Sequence, residues 1–108
     1  MLAALLNEMV TIERRTRTHD GQGGWKTGWQ EVGKERTRIR PAWAREREAG
    51  AVTEARVTHV AYFRPGADVR RGDRLRRDNG EALDVISVRR PSAGHHLEVD
   101  AEAVQHGG

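Results

Sequence analysis

The chain is 108 residues long, carries a formal net charge of +3, and has 32% charged residues. That length holds one domain, 1–108, and excludes a second, while the absence of cysteine excludes disulfides, thiolate metal sites and cysteine nucleophiles. Leu, Ile, Val and Phe make only 20 residues, so the core is expected to be thin and to gain order from a partner or a second copy; the low net charge argues against full disorder.

Leu2, Leu5, Leu6 and Met9 fall at i, i+3, i+4 and i+7, one face of a short helix. Such a stub is marginal alone, so residues 1–9 are predicted to dock on the domain or on a neighbouring subunit. Its apolar run is too short for a signal peptide or a membrane span, and the expected location is the cytosol of the cell that makes it.

From Met9 the period changes to two, with Val10, Ile12 and Arg14 alternating with Thr11, Glu13 and Arg15, which predicts a first strand. The stretch THDGQGGW, residues 18–25, then joins it to an antiparallel second strand in which Trp25, Thr27 and Trp29 share a face. A turn is predicted at 32–34, followed by a third strand with Thr37 and Ile39 inward and Arg36, Arg38 and Arg40 outward, ended by Pro41. Residues 42–52, AWAREREAGAV, break the strand rhythm and favour helix until Gly50. Period two returns over residues 53–64, predicted as the longest strand.

Residues 74–76 read as a short strand, and Asn79-Gly80 as a tight hairpin with positive backbone angles. Residues 82–89 form the next strand, with Leu83 and Val85 on one face and Ile86 and Val88 suggesting burial on the other. A last strand carries Leu97, Val99 and Ala101, and the tail at 102–108 is predicted to fray. The expected class is all-β: a small barrel or sandwich of six to seven antiparallel strands, with one short helix or loop insertion between the third and fourth.

Three glycines beside His19 and Asp20 invite a phosphate-cradle reading, but such a loop must open a helix, and this one leads into a strand. It is a hairpin loop. His95 and His96 are adjacent, so on a strand they face opposite ways and chelate one ion poorly. No serine has the surroundings of an activated nucleophile. No catalytic residue, metal site or cofactor is assigned, and the chain is expected not to be an enzyme.

The basic side is 17 Arg against 2 Lys, which suits bidentate contacts to carboxylate or phosphate. Arg36, Arg38 and Arg40 on one strand face could form a stripe, which leaves open a free nucleic-acid-binding β-barrel, or a solvated face paired with neighbouring acids.

The ordered set VTIERRTRTHDGQGGW, TRIRPAWARERE, TEARVTHVAYFRPG, GDRL and NGEALDVISVRRP resembles the head-closure proteins of tailed bacteriophages, also called head-tail joining proteins or stoppers, with counterparts in gene transfer agents. The resemblance spans residues 10 to about 101. Where the family often has Trp-Ala before the RIRP stretch, here residues 38–41, the chain has Arg36-Thr37, and where Ser-Gly commonly follows that proline, Pro41 here, it has Ala42-Trp43-Ala44.

The resemblance implies a β-barrel assembled as a ring, expected to be twelvefold, at the particle neck between the portal with its adaptor and the tail. The ring would retain packaged double-stranded DNA without sequence specificity and dock the tail terminator or tail tube, after residence in the host cytoplasm and with no membrane partner. By position, residues 41–53 would be the channel loop, with Trp43, Arg45, Glu46, Arg47 and Glu48 as DNA-retention candidates. Leu2, Leu5, Leu6, Arg36, Arg38 and Arg40 are the candidates for subunit or ring contacts.

Overall fold

Alternating apolar and polar residues build six strands in the computed structural model, which describes residues 6–44, 56–92 and 94–104. They are β1 (Glu8–His19), β2 (Trp25–Pro41), β3 (His59–Phe63), β4 (Arg74–Arg77), β5 (Ala82–Arg89) and β6 (Leu97–Ala103). The strand order is β1-β2-β3-β6-β5-β4, every pairing is antiparallel, and β1 pairs with β4 to close the barrel. Closure removes the unpaired sheet edges that an open sheet would expose.

The interior is lined by inward-facing residues of all six strands, among them Val10, Ile12, Phe63, Leu75, Leu83 and Val99. Phe63, the only phenylalanine, is fully buried. Thr37 and Ile39 face inward as the alternation predicts; Thr37 is fully buried and its Oγ1 donates to the Tyr62 carbonyl at 2.8 Å, so its hydroxyl is satisfied. A second apolar cluster lies on the outer wall, where Ala42, Val57 and Val60 pack with Tyr62 and Ile86.

Several elements differ from the sequence reading. The turn predicted at 32–34 is a bulge: Ile12 pairs with Gly33 and Glu13 with Glu31, leaving Val32 as the extra residue. The predicted second and third strands are therefore one 17-residue strand, and β2 is the longest. The strand predicted over 53–64 is shorter, because residues 56–58 are not strand and 53–55 lie outside the described residues.

A second bulge falls between Val85 and Ser87. It turns Ile86 out to the outer cluster and Val88 in to the core, which is why both faces of β5 looked apolar. At the β4–β5 hairpin only Gly80 has a positive φ, 88°, and Gly80 N donates to the Arg77 carbonyl at 3.0 Å. The loop is a three-residue turn ending in a left-handed glycine, in place of the two-residue Asn-Gly turn.

β1 begins at Glu8, so Met9, assigned to the stub helix, stands on a strand; residues 1–5 lie outside the described residues. β6 continues through Glu102 and Ala103, which were assigned to the frayed tail, because Val104 N still donates to the Ala82 carbonyl at 2.9 Å. Residues 105–108 lie outside the described residues.

Candidate assembly surfaces

The strand directions give the barrel two different ends. At one, β1 starts, β2 finishes at Pro41 and β3 begins at His59. Here Arg77 on β4 holds Glu8 with Nε to Oε2 at 2.6 Å and also holds Glu81 with Nη1 to Oε1 at 2.9 Å. The two carboxylates raise the Arg77 pKa above its ordinary value. His59 lies 3.9 Å from Glu81, and burial pushes its pKa below the usual imidazole value, against the opposing pull of that carboxylate.

The predicted channel loop leaves and returns at this end. Its base is pinned, since Ala42 N donates to the Thr58 carbonyl at 2.9 Å, continuing the β2–β3 ladder by one step. Arg40 Nε donates to the Tyr62 hydroxyl at 3.1 Å, and its guanidinium lies 3.9 Å from the Trp43 ring centre. Trp43 is half exposed, and Arg45, Glu46, Arg47 and Glu48 lie outside the described residues.

Of the other interface candidates, Arg36, Arg38 and Arg40 do share the outer face of β2. They do not make one uniform stripe: Arg36 and Arg38 are exposed, whereas Arg40 is committed to Tyr62 and Trp43. Arg36 and Leu6 come together in an open groove of about 540 Å³ that also includes Met9, Lys34, Arg64 and Pro65. Arg64 is fixed there by Glu35, with Nη2 to Oε1 at 2.7 Å. Leu2 and Leu5 lie outside the described residues.

At the other end, β1 and β2 run on past their barrel partners. β4 pairs with β1 only at residues 10–13 and β3 pairs with β2 only at 38–41, so 14–19 and 25–30 project as a two-stranded arm, roughly 20 Å long at the usual rise per residue. The sequence pattern predicts a hairpin here as part of the barrel, whereas the structure extends it beyond the barrel wall. The missing signal was the partner strand, which sequence alternation does not reveal.

The arm tip is the glycine loop. Gly21 and Gly23 have φ of 80° and 83°, and the Asp20 carboxylate accepts from Gln22 N at 2.7 Å and Gly24 N at 3.0 Å. Those two amides hold the Asp20 pKa below its ordinary value. His19 does not pair with Asp20 as an acid and base would; its ring stacks 4.0 Å from Trp25. His96 is likewise occupied, 3.1 Å from Glu98.

One arm face is a ladder of arginine and tryptophan. His19 is opposite Trp25, Arg17 opposite Thr27 and Arg15 opposite Trp29. Arg17 lies 4.6 Å from the Trp25 ring centre, while Arg15 and Arg74 lie 5.2 and 4.3 Å from that of Trp29.

A family model described as phage head completion protein matches residues 1–104. A chain of the virion of a native gene transfer agent particle is similar at 25% identity and a TM-score of 0.63, over 92% of this chain and 96% of that one. The solution structure of a Shigella flexneri 2a protein shares the fold, with a TM-score of 0.79 at 20% identity over 95% and 96% of the two chains. A comparison with curated proteins finds no match.

Proposed function

This chain belongs to the phage head completion protein family, and from that premise we propose that it closes the DNA-filled head of a tailed phage or a gene transfer agent as a ring at the neck. The observation that carries the reading is the family match across residues 1–104, which takes in all six strands. Likeness to a chain of a gene transfer agent virion supports the same kind of particle. The role is structural, not enzymatic.

In this reading the ring, expected to be a dodecamer, sits between the portal with its adaptor and the tail terminator or tail tube. Each copy is made in the host cytoplasm and joins the particle there. The half-exposed Trp43, the groove beside Leu6 and Arg36, and the projecting arm give it surfaces that a lone barrel does not need. Contacts between unlike surfaces of neighbouring copies close into a ring when the rotation permits. The insertion at 41–53 faces the channel and retains DNA through backbone contacts that read no sequence.

Particles assembled without the chain test this directly. They are expected to fill with DNA, lose it and fail to join tails, and adding purified protein to freshly filled heads should restore retention. Heads that keep their DNA and join tails normally in its absence would remove the assignment.

A further inference from the structure

The arm carries a charge imbalance that the rest of the barrel does not. On the body, Glu8, Glu13, Glu35, Asp84 and Asp100 are held by Arg77, Arg76, Arg64, Arg74 and Arg89 respectively. On the arm, residues 14–30 contain Arg14, Arg15, Arg17 and Lys26 against a single acid, Asp20, whose carboxylate is turned onto its own loop amides. Arg14 is neutralised by Asp73 and Asp68, but Arg15, Arg17 and Lys26 have no carboxylate partner among the described residues.

A separate feature at the arm's root has the same character. An open cleft of about 270 Å³ is lined by Arg14, Arg15, Arg70, Arg71, Gly72 and Asp73. Its one acid, Asp73, is 2% exposed and already accepts from Arg14 and from Arg70 N at 2.8 Å. Arg14 and Arg70 also hold Asp68, each at 3.2 Å, so the cleft's cations without a carboxylate partner among the described residues are Arg15 and Arg71, and Arg15 belongs both to it and to the ladder.

We propose that the arm face and this cleft bind the phosphate backbone of duplex DNA without sequence preference. Charge complementarity selects the partner: among the described residues, most acids that a second copy would offer are held by its own arginines, whereas B-DNA presents one phosphate charge per about 1.7 Å of axis. Shape agrees, since a two-stranded β-ribbon fits the major groove, about 12 Å wide. Arg15 and Arg17 stand two residues apart on one strand face, about 7 Å, and guanidinium groups suit bidentate phosphate contacts. This DNA contact is at the barrel end opposite the 41–53 insertion and does not depend on the insertion's role.

The test titrates the full purified chain against a short fluorescein-labelled duplex of mixed sequence, reading anisotropy between about 50 and 200 mM salt. Wild type should bind with an affinity that falls steeply with salt. The R15A/R17A double variant should lose roughly tenfold or more in affinity and flatten the log–log salt slope by about 2, and R71A by about 1. R15K/R17K, which keeps the charges, should retain most of the slope, and R36A/R38A on the barrel wall should leave it unchanged. No binding by wild type at low salt overturns the proposal, as does a slope that follows Arg36 and Arg38 instead of the arm. So does an arm variant that binds DNA normally yet cannot join filled heads, because the arm would then be docking on protein. The neck assignment is read separately, by DNA loss from particles.

Discussion

Arg14 holds Asp73 by two parallel hydrogen bonds, Nε to Oδ1 at 3.0 Å and Nη2 to Oδ2 at 2.9 Å, where the arm leaves the barrel. Arg14 has the same strand parity as Val10 and Ile12, so it closes the line of core residues with a charge. Asp73 is buried, and its carboxylate raises the Arg14 pKa above the ordinary value. Replacing Arg14 by Ala leaves a buried carboxylate without its partner and should destabilise the fold by about 3 kcal/mol, checked by urea denaturation at neutral pH. A loss under about 1 kcal/mol would mean that the Arg70 amide alone satisfies Asp73.

His59 makes stability depend on pH. Its pKa is lowered in the folded state, chiefly by burial. Its contribution is therefore fully present above the unfolded histidine value of about 6.5 and is lost as pH falls through that value towards the folded one, because the unfolded chain takes the proton first. The urea midpoint should drop on acidification below about pH 6.5, and His59→Gln should flatten that part of the profile.

Asp20 governs the arm tip in the other part of the pH range. Its folded pKa lies below the ordinary carboxylate value, so loop order is complete above that value and declines as pH falls through the lower folded one. The amide resonances of Gln22 and Gly24 should shift together on acidification. Asp20→Asn should weaken that dependence while leaving the melting temperature of the barrel unchanged.

The groove beside the first strand separates assembly from folding. Met9 is 36% exposed and Arg36 is exposed, so neither is needed by the core. Met9→Asp and Arg36→Glu should leave thermal stability within about 0.5 kcal/mol of wild type and reduce incorporation into particles, read by gel analysis of purified heads. Normal incorporation would take this groove out of the assembly surface.

The insertion can be shortened without harm to the barrel, because Ala42 N and the Thr58 carbonyl already close its base. Replacing residues 45–54 with a short Gly-Ser linker should keep the cooperative unfolding transition, since loop length changes closure entropy only slowly. DNA loss from otherwise complete particles is the expected defect.

Alternation between apolar and polar residues was enough to announce an all-β domain, and it placed Val10, Ile12, Thr37, Ile39, Leu83 and Leu97 inward, because a strand buried on one face must repeat every second residue. Glycines too large in number for a strand marked the reversal at 20–24, and the order of segments pointed to the head-closure family that the match over residues 1–104 shows. The tertiary structure alone decided the rest. Val32 and Ile86 look like a turn and a second buried face until the ladder opposite them is known, since a bulge is a relation between two strands. The arm was invisible for the same reason: nothing in residues 14–19 or 25–30 says that β4 and β3 stop short of them. The pairing of arginines followed too, because Arg14 meets an aspartate 59 positions away while Arg15 beside it meets none, and only the closed barrel brings those distant residues to one end.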